Sequence, residues 1–233
     1  MKQQLKKVIL LFFKLLGKIN TQKVSYLLIN WGYLIKSEKH YNTNGAKIFE
    51  QNRIAFHKFL AGEYLNPNDE ILYLEFGVCN GDSFKRWVEI NKNPNTKLIG
   101  FDTFTGLPQD WGSEKKGTFS TNGQIPQFDD NRVSFEVGLI QDTLPDFLKK
   151  MESNLKGKII VHIDVDLYNA SLYTLILLNP YLKKGDIVIF DDFHTLTKTA
   201  HEFRAYLDYA SLFNRNHKPL YNINHAQFAF EFE

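Results

Sequence analysis

Apolar residues in this chain gather into short unbroken runs, separated by stretches with helical spacing. The runs EILYLEF (70–76), KLIGFD (97–102), KIIVHID (158–164) and DIVIFD (186–191) lack alternation, as strands buried on both faces do. A further strand is predicted at Val133–Val137, and two more near Leu220–Asn224 and Ala226–Phe232. The short turn at Asn224-His225 makes the last two an antiparallel edge hairpin. Helical spacing covers Ser83–Asn91, Thr143–Ser153, Ser171–Leu182 and about Lys198–Phe213, with Asp82 or Ser83 placed to cap the first. Upstream, Gln22–Lys36 and Ala46–Tyr64 also read as helices. Alternating strands and helices predict an α/β fold with a doubly wound, Rossmann-like sheet, mostly parallel, with helices on both faces. The expected division is an N-terminal helical extension over residues 1–66 and one domain over 67–233.

Two stretches stand outside this alternation. Residues 103–131 are rich in Gly, Pro, Asn, Asp and Gln and lack periodicity, so they read as a long loop of the kind that forms lids. Residues 1–20 combine Leu5, Val8, Ile9, Phe12, Phe13, Leu15 and Leu16 with Lys2, Lys6, Lys7, Lys14 and Lys18. The apolar run is broken by Lys14, too short to span a bilayer, and no small-x-small cleavage site follows it. An amphipathic basic helix is predicted, either lying on an anionic membrane surface or packing on its own domain or on a second subunit of a homo-oligomer.

Composition narrows the class. At 233 residues and 43% hydrophobic, the chain can bury a full core. A net charge of +2 gives no field suited to nucleic acid, and the 20 Phe and 11 Tyr read as core because no basic–aromatic cluster recurs. The single cysteine, Cys79, excludes an intrachain disulfide and fits a reducing, cytoplasmic setting, with peripheral contact to the inner face of a membrane if the basic helix binds there.

Candidate chemistry begins at EFGVCNG (75–81), a glycine turn between strand and helix. Gly77 and Gly81 give backbone access to a ligand, and Glu75 either approaches it or braces the turn. Asp102, ending the next strand, is placed to accept ribose hydroxyls, with Thr103 and Phe104 flanking the adenosine. The spacing E-x-G-x-x-x-G lacks the phosphate-binding fingerprint, so a nucleoside without phosphates fits, pointing to S-adenosyl-L-methionine over NAD. Asp142, after the third strand, is a candidate partner for the adenine amino group, the N-cap of the following helix, or both. Cys79, inside the turn, reads as a small filler beside the ligand.

Acids mark the neighbouring strand ends: HIDVDLY (162–168) and IFDDF (189–193) bring Asp164, Asp166, Asp191 and Asp192 to the same carboxyl edge. Such carboxylates repel unless protonated or bridged by a hard cation such as Mg²⁺ or Ca²⁺.

With these segments in hand, the chain resembles the TylF/MycF/NovP family of Mg²⁺-dependent sugar O-methyltransferases, within the class I S-adenosylmethionine-dependent superfamily. The resemblance rests on EFGVCNG, GFDTFTGLP (100–108), QDTLPDFL (141–148), HIDVDLYNASLYTL (162–175) and KKGDIVIFDDF (183–193). It implies Mg²⁺ held by Asp164, Asp191 and Asp192, a sugar-containing acceptor, and Asp164 as base; His194 and His162 are alternatives. Val165 stands where the family often has glycine. The first 65 residues and the tail from about 195 match no motif of the family, so the acceptor's identity does not carry over. Tyr168 and Asn169 are candidate walls of the acceptor pocket. Rival expectations are a catechol-type O-methyltransferase and a non-catalytic binding protein of the same fold.

Overall fold

The computed structural model describes residues 2–16, 21–49, 52–151, 157–194, 201–223 and 226–233. Its elements in chain order are α1 (Lys2–Leu16), α2 (Thr21–Thr43), β1 (Lys47–Ile48), α3 (Arg53–Tyr64), β2 (Ile71–Phe76), α4 (Asp82–Ile90), β3 (Lys97–Asp102) and β4 (Val133–Val137). There follow α5 (Ile140–Met151), β5 (Lys158–Ile163), α6 (Tyr168–Leu178), β6 (Ile187–Phe190), α7 (His201–Phe213), β7 (His217–Ile223) and β8 (Gln227–Phe232).

The strands form one eight-stranded sheet, ordered β1-β7-β8-β6-β5-β2-β3-β4. β4, β3, β2, β5 and β6 pair in parallel, and β8 runs antiparallel to both β6 and β7. Side-chain alternation divides the core between the two faces. Leu72, Leu74 and Phe76 of β2 join Leu144, Phe147, Leu175 and Phe203 on one face. Ile71 and Tyr73 join Phe56, Leu60, Phe84 and Trp87 on the other. Both faces are therefore covered, which is why these strands carry continuous apolar runs.

The fold class read from the chain is the observed one: a doubly wound, Rossmann-like, mostly parallel sheet with an antiparallel C-terminal pair. The N-terminal segment departs from the expectation of continuous helix over Ala46–Tyr64. Lys47–Ile48 instead pair in parallel with Tyr221 and Asn222, so β1 forms the rim beyond the C-terminal hairpin. Asn52 then starts α3, its side chain accepting from Ala55 N at 3.1 Å. α2 runs seven residues further than its expected end at Lys36, to Thr43. α5 begins at Ile140, so Asp142 sits in its first turn and is not its cap. α4 is capped by Gly81 in the left-handed region, without a side-chain cap from Asp82 or Ser83, because the Ser83 hydroxyl is spent on Glu75. The turn residue His225, the start of the helix expected from Lys198 and the end of the one expected to reach Ser153 lie outside the described residues.

Candidate active site

β2 leads to β3 on one side, and the chain after β4 returns to pair β5 on the other side of β2. The sheet order thus reverses between β2 and β5, the place where open α/β sheets leave a crevice at their carboxyl edge. A cavity of about 600 Å³ lies there. Gly77 stands at its floor with φ +89°, its N–H donating to Phe101 O at 2.9 Å. A Cβ at this position would overlap the Asp164 carbonyl oxygen, so the two strand ends meet only because residue 77 has no side chain.

One half of the cavity is built from the glycine turn and β3. Asp102 lines it, and its carboxylate accepts from Val78 N (2.8 Å), Cys79 N (2.7 Å) and Phe104 N (2.7 Å). Three backbone donors fix this carboxylate and hold the turn against the end of β3. Thr103 also lines the cavity, whereas the Phe104 ring does not: it is buried in the core against Phe135. φ of +57° at Phe104 turns its backbone toward Asp102 and the long loop, and its carbonyl accepts from Gly123 N at 2.9 Å. That loop closes one side of the cavity. Its Leu107 and Trp111 pack on Leu167, and Gly106, Pro108, Gln109 and Phe119 complete the wall. Cys79 lines the cavity as a filler; burial pushes its thiol above the usual range, which disfavours a thiolate.

Glu75 braces the turn. It is fully buried, accepting from the Ser83 hydroxyl at 2.6 Å and from the Tyr73 hydroxyl, and it does not line the cavity. Gly81 likewise lies behind the wall, where a Cβ would meet Pro126 at 3.1 Å. Asp142 is exposed on α5 away from the cavity, while Leu139, Ile140 and Gln141 of the same turn line it.

The other half is acidic. Asp164, Asp166, Asp191 and Asp192 all line it. Their carboxylates fall into two clusters sharing Asp164: Asp164 with Asp166 and Asp192, and Asp164 with His162 and Asp191. Asp191 and Asp192 therefore enter different clusters, as successive residues leaving a strand point to opposite sides. Asp191 is buried and already neutralised: Arg53 pairs with one oxygen and the Gln227 amide donates to the other. Asp166 adopts φ +61°, an uncommon conformation that carries the chain sharply from β5 into α6.

Crowding shows in the protonation of these acids. Loss of bulk water raises the Asp164 carboxyl to about 6; His162 and Arg53 oppose the rise, and Asp192 and Glu75 add to it. Glu202 of α7, almost fully buried, accepts from Asp192 N at 3.0 Å. Burial, then the charges of Asp192, Asp164 and Asp166, hold it well above the carboxylate range. Nothing in its position in the sequence marks Glu202 as part of this group; only the return of α7 over the strand ends brings it there.

The two histidine candidates are not in the cavity. His194 is buried among Phe193, Phe203 and Phe228, with its Nε2 2.9 Å from His40 Nδ1 of α2. The chain folds inward immediately after the acidic pair, removing His194 from any acceptor. His162 is fully buried beneath the floor. Its Nδ1 is 3.1 Å from the Tyr73 hydroxyl, and its Nε2 is 3.8 Å from Asp191 Oδ1. Tyr73 spends its one proton on Glu75, so Nδ1–H is the donor to the Tyr73 oxygen. Asn169 lines the cavity; Tyr168 instead donates to Asp208 at 2.9 Å and stacks under Arg204.

A profile described as a methyltransferase domain matches residues 74–193, just over half of the chain, from β2 to the acidic pair. The chain belongs to this methyltransferase family. No curated relative matches it. Among solved structures it shares its fold with CalS11, described as a calicheamicin methyltransferase, at TM-score 0.60 and 19% identity, over 86% of this chain and 91% of that one. It is similar also to the O-methyltransferase NovP, at TM-score 0.58 and 19% identity, over 77% of this chain and 78% of that one. A structure described as cmcI-D160 with Mg and SAM aligns at TM-score 0.50 and 16% identity, over 78% and 72%. In this methyltransferase the glycine turn and the acidic cluster face one another across a single cavity.

Proposed function

We propose that this methyltransferase is an S-adenosyl-L-methionine-dependent O-methyltransferase that uses Mg²⁺ to methylate a sugar hydroxyl, in the manner of the TylF/MycF/NovP group. The observation carrying this reading is the shared cavity, in which Gly77, Asp102 and Thr103 face Asp164, Asp166 and Asp192. The fold relative CalS11 is also described as a TDP-rhamnose 3′-O-methyltransferase, which supports a sugar acceptor.

S-Adenosylmethionine, when bound, supplies a methyl group that is already electrophilic, so the protein's work is alignment and deprotonation. Asp102 is positioned to accept the ribose hydroxyls, and the backbone opened by Gly77 admits the cofactor's chain. The donor set fits a hard divalent cation: clustered carboxylates lining the cavity, one raised to about 6 by burial. Asp164, common to both clusters, would hold the ion, with Asp192 beside it in one cluster and Asp191 available from the other only after giving up Arg53. When bound there, Mg²⁺ lowers the pKa of a hydroxyl it contacts. Asp164 and Asp166 are the acids placed to take the hydroxyl proton, since both face the cavity and neither histidine does.

The test is methyl transfer from labelled S-adenosylmethionine to nucleotide sugars and, in parallel, to catechols, with products identified by mass. Turnover on the sugars is expected, abolished by EDTA and restored by Mg²⁺, with Asp164→Asn the most damaging single change. Turnover on catechols alone would replace the acceptor class, and EDTA-resistant turnover would remove the cation.

A further inference from the structure

The N-terminal helix takes no part in the cavity, and its surface is unlike the rest of the molecule. Val8, Leu10, Leu11, Phe12 and Phe13 of α1 each keep more than half of their surface exposed, and Ile9 keeps 44%. At about 3.6 residues per turn, Val8 with Phe12 and Ile9 with Phe13 share one broad apolar face. Lys7 and Lys14 lie opposite, flanked by Leu10 and Leu11, and Lys6 lies at the border; all three lysines are exposed. No Asp or Glu occurs between residues 2 and 16, although the whole chain carries a net charge of only +2. The positive charge is therefore local to this helix. α2 continues the pattern: Leu28, Trp31 and Ile35, at i, i+3 and i+7, form one exposed stripe beside the exposed Lys39.

We infer that α1 docks flat on an anionic lipid bilayer, its apolar face in the interfacial layer and its lysines at the headgroups. Charge decides between the occupants that an apolar helix can have. A second copy of this chain brings an α1 with lysines and no acids, so it covers an apolar face but offers no charge complementary to these lysines. An anionic bilayer supplies both the negative surface and the apolar depth that this helix lacks. α1 lies on the membrane and does not cross it: 15 residues reach only about 22 Å, against roughly 30 Å of hydrocarbon. No helix among the described residues is long and apolar enough to cross. Trp31 is the side chain expected at such an interface. The inference is independent of the reaction and of its acceptor.

The experiment is co-sedimentation of the full chain with vesicles of phosphatidylcholine, alone or mixed with phosphatidylglycerol, at low and high salt. Binding is expected on the mixed vesicles, falling as salt rises. The triple change Lys6→Glu, Lys7→Glu and Lys14→Glu should weaken it on the order of a hundredfold. Phe12→Ser with Phe13→Ser should weaken it on both salt settings, with the thermal melt of the protein unchanged. Failure of the wild-type chain to sediment with the mixed vesicles, or equal binding to phosphatidylcholine alone, overturns the inference. So does a wild-type dimer by light scattering that the Phe pair converts to monomer while the vesicles bind neither protein. The wild-type comparison between lipids decides the matter even if a variant misfolds.

Discussion

Arg53 reaches the acidic edge from the first turn of α3 and occupies one oxygen of Asp191. Its side chain is about half exposed, at 51%, so its removal disturbs little packing. A cation that uses Asp191 must first displace this guanidinium. Arg53→Ala is therefore expected to raise the affinity for Mn²⁺ or Mg²⁺, by up to roughly tenfold, in a titration without acceptor. Unchanged affinity would show that Asp191 is not a ligand. Asp102 gives a prediction of the opposite sign. Replacing it with Ala deletes three charge-assisted bonds that hold the turn, each worth ~1.5–3 kcal/mol, along with the site for ribose hydroxyls. Binding of S-adenosylhomocysteine by calorimetry should fall by more than about tenfold. At this scale the sequence was legible in position where a candidate residue sits at a strand end: Gly77, Asp102, Thr103 and the acids all line the cavity. It was less legible one step away. Spacing cannot tell whether the residue after an acidic pair turns outward or inward, and His194 turns inward. Nor does it reveal partners such as Arg53 and Glu202, which arrive from elements remote in the chain.

Among the elements, the central strands were legible because burial on both faces leaves an unambiguous apolar run; β3 and β4 have the expected bounds. β1 was hidden by its length: two residues cannot show a period, and only pairing with β7 makes them a strand. The ends of β2 and β5 are joined below the cavity by a buried polar chain, from Ser83 through Glu75 and Tyr73 to His162. Tyr73→Phe keeps the shape and removes the donor to Glu75 Oε2, leaving that oxygen buried beside His162. The expected cost is ~1–3 kcal/mol, read as a lower midpoint in urea. Ser83→Ala should cost a similar amount and also loosen the turn, whereas a midpoint unchanged in both would mean that Glu75 is held by packing alone. Gly77→Ala is expected to be more severe than either. It forces a side chain into φ +89° and against the Asp164 carbonyl, so the glycine turn and the acidic edge must part. Loss of both cofactor and cation binding in one variant would be the signature.

For the molecule as a whole, pH acts through buried groups of opposite sign. Burial lowers His40, His201 and His217 to about 4, so between about 4 and 6.5 the unfolded chain binds protons that the native protein refuses. Their contribution to stability is complete above about 6.5 and is lost as pH falls toward 4. His217→Leu, in a pocket lined by Tyr206, Phe230 and Phe232, should flatten the acid limb by about one proton. Asp164 works the other way. Its carboxyl is raised to about 6, so the native protein holds a proton there that the unfolded chain has released, and stability falls as pH climbs from about 4 to 6. A divalent cation reverses this second effect, because it binds the carboxylate and must expel the proton. Stabilisation by Mg²⁺ is thus expected to depend on pH. The rise in melting temperature at fixed Mg²⁺ should be small near pH 5 and reach its full size near pH 7, with apparent affinity falling about tenfold per unit below 6. Asp164→Asn should abolish the dependence together with most of the affinity. Fluorimetric melts without cofactor or acceptor are sufficient to read it. An equal Mg²⁺ effect at both pH values would mean that Asp164 is not a ligand, and that the cation, if bound, rests on what remains of one cluster, Asp166 with Asp192.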